Sequence, residues 1–382
     1  MEGRQVTTHQ RWRRFITGTL IAAVLIGVSL VVLTRAGSPS NSVDRPSTHL
    51  SRVAKGMPSN FLAQWTTRAR GDVLELFSTK GGRALNEVVD LSHVIGSPHI
   101  EGPFRSGSGT VWLTKTSGPI ATSDIAGGDP QPNSCSATVT ALSPLTHRST
   151  VVYRAPASVQ FGDAVPNATG ERFAYLDGGC STGFMNAHVV IRSTSSGAQV
   201  TIGSHALPCH VISTPSWSPN GSLLTFAYSP SVLTLGSQFV PRGYCQAPAA
   251  GEIAVVSTSR SSEIVAGELT KAPPGCQYTQ SAFDSPGMVA VESCGPVGSS
   301  STYLVQLNSH RTVILRIALK PNSDPTSLSV SPNGSYVLVN EYQAGALPGN
   351  DPLDWVWVFD GHHLKVIGRY LDSSESVSSA SW

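Results

Sequence analysis

The most reactive side chains of this sequence are six cysteines, Cys135, Cys180, Cys209, Cys245, Cys276 and Cys294. A thiol can attack a substrate, ligate a metal as thiolate or form a disulfide. Metal ligation asks for Cys-x-x-Cys, His-x-Cys or His-Glu-x-x-His spacing, and none occurs, so no metal or other cofactor is expected. An even cysteine count behind an export segment suits disulfides. Five histidines, His93, His99, His188, His205 and His210, fall near the same stretches. A catalytic cluster is one reading of them; solvated or structural imidazoles are the other. Asn350, Asp351 and Asp354 lack the alternating acidic pattern of a calcium loop and read as a turn. No Gly-x-Ser-x-Gly elbow is present: Ser106-Gly107-Ser108-Gly109 lacks the leading glycine. Gly127-Gly128-Asp129 lacks the strand and helix that a phosphate loop needs. What remains is aromatic. Phe184, Phe239, Tyr244, Tyr278, Tyr342 and Trp355, with Arg242, lie in or beside long connecting segments. Exposed, they suit a protein or glycan contact surface; packed beneath the loops, they are core.

A scaffold must hold these residues. The chain has 382 residues with 26 Lys+Arg against 24 Asp+Glu, a formal charge of +2 that gives no electrostatic case for nucleic acid. Charged residues are 13%, about half the usual share, while 36 glycines and 26 prolines demand many turns. A coiled coil, a helical repeat array and a charge-driven disordered chain are excluded. Short alternating strands fit instead. They pair as residues 72–77 with 84–89, 137–142 with 149–153, 188–192 with 198–202, 252–256 with 263–266, 303–307 with 311–315, and 355–359 with 362–367. The last pair turns at Asp360-Gly361, a strong hairpin signal. Recurrence every 50–65 residues, roughly, is the kind of period that marks propellers or arrays.

A second unit precedes several hairpins. Pro215-Ser216-Trp217-Ser218-Pro219-Asn220-Gly221 is one copy and Ser331-Pro332-Asn333-Gly334 another; Pro166-Asn167-Ala168-Thr169-Gly170 and Asp284-Ser285-Pro286-Gly287 are reduced ones. Proline sets the turn entry, and Asn-Gly supplies positive φ angles. These residues resemble the repeat of TolB-type bacterial β-propellers, a WD-repeat-like family with a Trp-Ser-Pro-Asp-Gly-like core. With the hairpin period the likeness covers residues 61–382. It implies an all-β fold, a six-bladed β-propeller of four-stranded antiparallel blades with strands A to D. Residues 61–66 give blade one a single strand before its hairpin, and residues 376–382 end in Ala-Ser-Trp like an opening strand. The C-terminal strand is therefore expected to complete blade one, closing the ring and removing sheet edges; a fraying tail is the alternative.

In that register Cys276 precedes strand A of blade five and Cys294 ends its strand B, while Cys209 and Cys245 bracket the same hairpin of blade four. The expected disulfides are Cys276–Cys294, Cys209–Cys245 and Cys135–Cys180. All six cysteines map to the rim that carries the D–A and B–C connections, where the long segments 115–134, 177–187, 229–251 and 342–354 also fall. Long loops on a rigid scaffold commonly carry function, and disulfides there lower the entropy lost on binding. This rim, with Arg242, Tyr244, Phe239, Phe184, Tyr342 and Trp355, is the candidate binding site. Trp112, Trp217 and Trp357 sit inside strand patterns and are expected between blades. Asn167, Asn220 and Asn333 match a glycosylation pattern but occupy tight turns.

Residues 15–33 carry no charge and follow Arg4, Arg11, Trp12, Arg13 and Arg14. Nineteen residues at about 1.5 Å each match the hydrocarbon core, and the basic flank places the N-terminus inside. The expected organisation is a cytoplasmic stub (1–14), a transmembrane signal anchor (15–33), a flexible linker (34–60) rich in Ser and Pro, and an extracytoplasmic propeller (61–382). A cleaved signal peptide, giving a secreted protein, is the alternative. The leading functional expectation is a monomeric, single-pass protein of the bacterial cell membrane that binds or scaffolds an envelope protein or peptide. The alternative is a propeller hydrolase, lyase or cyclotransferase, or a small-molecule or glycan sensor, with its site in the central funnel.

Overall fold

The structure is a computed structural model, and it describes residues 56–67, 71–90, 99–105, 109–117, 136–143, 148–157, 159–179, 183–202, 213–228, 251–259, 269–285, 287–295, 301–320, 323–343, 353–371 and 375–382. Residues 15–33 lie outside these; among the described residues no helix is long and apolar enough to cross a membrane.

The described residues form six four-stranded antiparallel sheets, the blades expected from the repeats. Blade one contains β1 (Asn60–Thr67), β2 (Gly71–Ser78) and β3 (Ala84–Asp90). Blade two is β4 (His99–Arg105), β5 (Val111–Ser117), β6 (Ser136–Ser143) and β7 (Arg148–Arg154). Blade three is β8 (Val159–Pro166), β9 (Arg172–Gly179), β10 (Gly183–Ser193) and β11 (Gln199–Ile202). Blade four is β12 (Ser216–Trp217), β13 (Leu223–Tyr228), β14 (Glu252–Ser257) and β15 (Leu269–Thr270). Blade five is β16 (Cys276–Phe283), β17 (Met288–Cys294), β18 (Ser301–Leu307) and β19 (Val313–Ala318). Blade six is β20 (Ser323–Val330), β21 (Val337–Gln343), β22 (Leu353–Phe359) and β23 (Leu364–Leu371). The last strand, β24 (Glu375–Ser381), pairs with β1 and is strand A of blade one. The strand order β24-β1-β2-β3 closes the ring as the sequence implies. Outer strands differ in their bounds: β19 starts at Val313 and β23 at Leu364, each two residues later than expected. The outer strand of blade four is placed at Leu269–Thr270, opposite Ala254 and Ile253, and the expected 263–266 segment lies outside the described residues.

Burial follows from this layering. An inner strand faces a neighbouring blade on both sides, so both of its faces must be apolar. Val337, Leu338 and Val339 of β21 are all buried: Val337 and Val339 pack toward blade five and Leu338 toward blade one. Outer strands have no such cover, and β7 and β19 are largely exposed. Six apolar clusters result, one in each seam. Leu62, Leu74, Val111 and Leu113 fill the seam between blades one and two. Trp112 and Trp217 lie in the seams on either side of blade three, where the sequence puts them, and Trp357 packs at the seam of blades five and six.

The A–B turns form the face opposite the long connections, and each uses its polar residues locally. Asn220 Oδ1 accepts the Ser222 N–H (3.0 Å) and the Ser218 hydroxyl (2.8 Å). Asn333 repeats the arrangement with Ser335 N–H (3.1 Å) and the Ser331 hydroxyl (2.7 Å). Neighbouring turns are tied together. Arg172 donates to the Gly221 carbonyl (2.6 Å), the Ser285 N–H to that of Gly334 (2.7 Å), and Asn333 Nδ2 to that of Gly56 (3.1 Å). The last of these, with Thr79 donating to the Pro58 and Ser59 carbonyls at 2.9 Å, fixes where the chain enters the ring: on the turn face.

Candidate functional site

Strands B and C meet at the opposite rim, and one position there repeats. The fifth residue of strand B, counted from the residue opposite the end of strand A, is Asp177 in blade three, Glu292 in blade five and Glu341 in blade six. Each ends an apolar run, and by strand alternation each shares a face with residues packed on the preceding blade. A carboxylate in such a seam needs partners.

In blade six they come from two elements, the connection before β20 and strand β22. Glu341 is fully buried; its Oε1 accepts the Lys320 backbone N–H (2.9 Å) and its Oε2 the Trp357 indole N–H (2.6 Å). Trp355 and Trp357, two residues apart on β22, share one face and stack at 5.6 Å between ring centroids. The Lys320 ammonium lies 5.2 Å and 5.7 Å from those centroids, a distance at which a cation is drawn to the indole face. At the rim the carboxylate is thus held by a backbone N–H and an indole N–H, and the ammonium lies against the two indoles.

Blade five solves the same problem with an arginine. Glu292, 1% exposed in its side chain, pairs with Arg316 at 2.5 Å, and Arg316 lies 3.7 Å over the Tyr303 ring. Burial, helped by the Glu292 charge and opposed by Arg316, pushes the Tyr278 phenol up to about 12. Cys276 and Cys294 are register partners, with Cα atoms 4.0 Å apart, and form the disulfide expected from the sequence. Cys276, Glu292 and Cys294 are also the one group of metal-ligating side chains among the described residues, and two of its three donors are bonded to each other.

In blade three, burial raises the Asp177 carboxyl above the usual range, partly offset by His188, its register partner on β10. Burial likewise raises the neighbouring Tyr175 phenol, with Tyr153 and Asp177 adding to it, and Arg192 caps Tyr153 at 4.1 Å.

Of the residues singled out from sequence, Tyr342 and Trp355 both stand at the rim end of blade six, but on opposite faces of its sheet. Trp355 is opposite Glu341 and half-buried toward blade five; Tyr342 alternates with Leu338 and is 38% exposed. Phe184 belongs to β10 by its backbone, and its side chain is outside the described set; Phe239, Arg242, Tyr244, Cys135, Cys180, Cys209 and Cys245 lie outside the described residues altogether. Tyr278 is core, 1% exposed in the seam of blades four and five. Sequence reasoning missed Glu292, Arg316, Lys320 and Glu341. A signal existed: an acidic residue closing an apolar strand-B run in Ala174-Tyr175-Leu176-Asp177, Val289-Ala290-Val291-Glu292 and Val337-Leu338-Val339-Asn340-Glu341.

No protein-family model matches the sequence, and no curated protein does. Solved structures resemble the ring. A candidate TolB of Agrobacterium tumefaciens is 12% identical, with a TM-score of 0.46 over 82% of this chain and 91% of that one. A candidate 6-phosphogluconolactonase of Bacteroides uniformis is 10% identical, with a TM-score of 0.44 over 85% and 99%. The β-propeller domain of the trilobed protease of Pyrococcus furiosus is 10% identical, with a TM-score of 0.38 over 70% of each. The repeats of the sequence and the six four-stranded sheets agree on a six-bladed β-propeller, closed by its last strand.

Proposed function

We propose that this chain is a membrane-anchored, extracytoplasmic propeller that binds a protein or peptide of the bacterial cell envelope through the rim of the B–C and D–A connections. The carrying observation is Tyr342: a large aromatic left 38% exposed at the rim end of a strand whose next residue inward, Glu341, is fully buried and doubly hydrogen-bonded. The strand that carries it is anchored through the neighbouring Glu341, and an aromatic on a fixed strand loses little entropy on binding.

The test is photo-cross-linking of the full chain in native membranes, with partners identified by mass spectrometry. Tyr342→Ala is expected to weaken the recovered interaction by roughly tenfold or more, while His362→Ala, on the turn face, leaves it unchanged. Equal recovery with both variants removes the rim from the proposal. An enzyme reading has one observation of its own, the half-buried Asp177 beside His188 at the rim of blade three. Hydrolysis of an ester, lactone or peptide that His188→Ala abolishes and Tyr342→Ala spares would replace the binding reading.

A further inference from the structure

We infer that the Cys276–Cys294 bond is a thiol–disulfide exchange site, with Cys276 the sulfur attacked, Cys294 the leaving thiolate, and a dithiol as electron donor. An inert disulfide is served best by apolar surroundings; reactive cysteines sit in partly exposed, electropositive ones. This bond is partly exposed and has the Arg316–Glu292 ion pair beside one of its two sulfurs. Both cysteines are partly exposed, at the rim end of β16 and β17. Arg316 Nη2 lies 3.1 Å from the Cys294 sulfur, and Glu292 Oε1 lies 3.3 Å from it.

The two contacts have uses that only the open bond requires. A disulfide sulfur has no proton, so the approach of Glu292 is not a hydrogen bond in the oxidised state. Once the bond opens, a Cys294 thiol donates to that carboxylate, or a Cys294 thiolate accepts from the permanently charged guanidinium. No charged side chain among the described residues makes a hydrogen bond to the Cys276 sulfur, so the two sulfurs are unequal. A thiol whose anion is stabilised leaves faster, which makes Cys294 the leaving group.

The exchange balances as follows. A donor thiolate attacks the Cys276 sulfur, the Cys276–Cys294 bond breaks, and Cys294 takes the electron pair. The donor's second thiol, losing its proton, attacks its own sulfur in the mixed disulfide and releases Cys276 as thiolate. Two electrons pass to the protein, the donor becomes a disulfide, and its two protons go to the new cysteine thiols or to solvent. The consequence is local. Cys276 follows the D–A connection and Cys294 precedes the B–C connection, so reduction uncouples the two at the binding rim. The ladder beneath stays paired from Gln277 opposite Ser293 onward.

The test equilibrates the full chain in detergent with mixtures of reduced and oxidised glutathione, alkylates free thiols and quantifies each cysteine by peptide mass spectrometry. Arg316→Gln leaves only a carboxylate facing the Cys294 thiolate, so its half-reduction point is expected to move roughly tenfold toward more reducing mixtures. Glu292→Gln leaves only the guanidinium and is expected to move it the other way. A loosened fold would ease reduction in both variants, so the opposite signs separate electrostatics from instability. Acid quenching during reduction is expected to trap the glutathione adduct on Cys276. An Arg316→Gln midpoint that stays or falls, or an adduct on Cys294, overturns the assignment.

Discussion

Two aspartates that the sequence presents alike, each in a turn that contains a glycine, are held in opposite ways. Asp284, in the A–B turn of blade five, is buried; its Oδ1 accepts the Gly287 N–H (3.1 Å) and its Oδ2 the Gln306 amide N–H (2.8 Å). Desolvation outweighs those bonds and raises its carboxyl above the unfolded value. Asp360 also feels burial, but the N–H groups of His363 (2.7 Å) and His362 (3.1 Å) and the Lys365 ammonium (3.2 Å) outweigh it and lower the carboxyl. The signs of linkage follow. Asp284 favours the folded state at pH below its unfolded value, and that contribution is lost as pH rises through the higher folded one. Asp360 contributes above its unfolded value and loses the contribution as pH falls through the lower folded one. Urea unfolding from about pH 3 to 7, across the ordinary carboxylate range, is therefore expected to separate two variants. Asp284→Asn gains on the wild type as pH rises. Asp360→Ala loses about 1 kcal/mol at neutral pH and regains it in acid. Parallel profiles would show that neither environment is as described. Of this contrast the Asp360-Gly361 hairpin was legible in the sequence, because its bonds are local. The burial of Asp284 was not, because it depends on Gln306, which arrives from another strand.

At the scale of elements the same division holds. Strand pairs and turns rest on neighbours in sequence, and the pairing of the hairpins was readable; the starts of β19 and β23, two residues later than expected, and the short β15, with only two residues paired to β14, were not. Seams rest on residues far apart in the chain. The two turn glycines Gly361 and Gly82 show the difference. Both have positive φ, +88° and +62°, and both read as hairpin glycines. A Cβ at Gly361 would meet nothing within 4 Å, whereas at Gly82 it would overlap the Ile367 carbonyl and the Gly368 Cα of blade six. Gly361→Ala is expected to cost about 1 kcal/mol, the backbone term alone. Gly82→Ala must also push two blades apart and is expected to cost roughly 3 kcal/mol or more. Equal losses in thermal unfolding would mean that the turn of blade one does not bear on blade six. The acids at the rim follow the same logic. Their position is visible as the end of an apolar run, but their partners Arg316 and Lys320 come from the outer strand and the connection beyond it, at no fixed spacing.

The ring is held where its first and last strands meet. Every blade but one is built from consecutive strands, and the strand ladder that closes the ring is the pairing of β24 with β1, from Leu62 opposite Ser381 to Thr67 opposite Glu375. That strand also joins blade six: Ala380 and Trp382 are buried with Leu338, Val356 and Val358, and the Trp382 N–H donates to the Ser329 hydroxyl at 3.1 Å. Closure was legible because the first blade lacks an opening strand and the chain ends in one; no comparable sequence feature reveals what the ring binds. Two variants measure what closure contributes. Trp382→Ala removes one buried indole and is expected to cost about 3–5 kcal/mol. Removal of residues 376–382 takes the indole, the ladder to β1 and the cover over blade six together. It exposes the β1 edge and the seam of blades six and one, so its loss is expected to exceed that of Trp382→Ala and to bring aggregation on heating. If the truncated chain unfolds at the wild-type temperature, the pairing of β24 with β1 does not hold the ring. If it only matches Trp382→Ala, the indole carries the contact and the strand adds nothing, so the ring would be a stack of blades stabilised seam by seam.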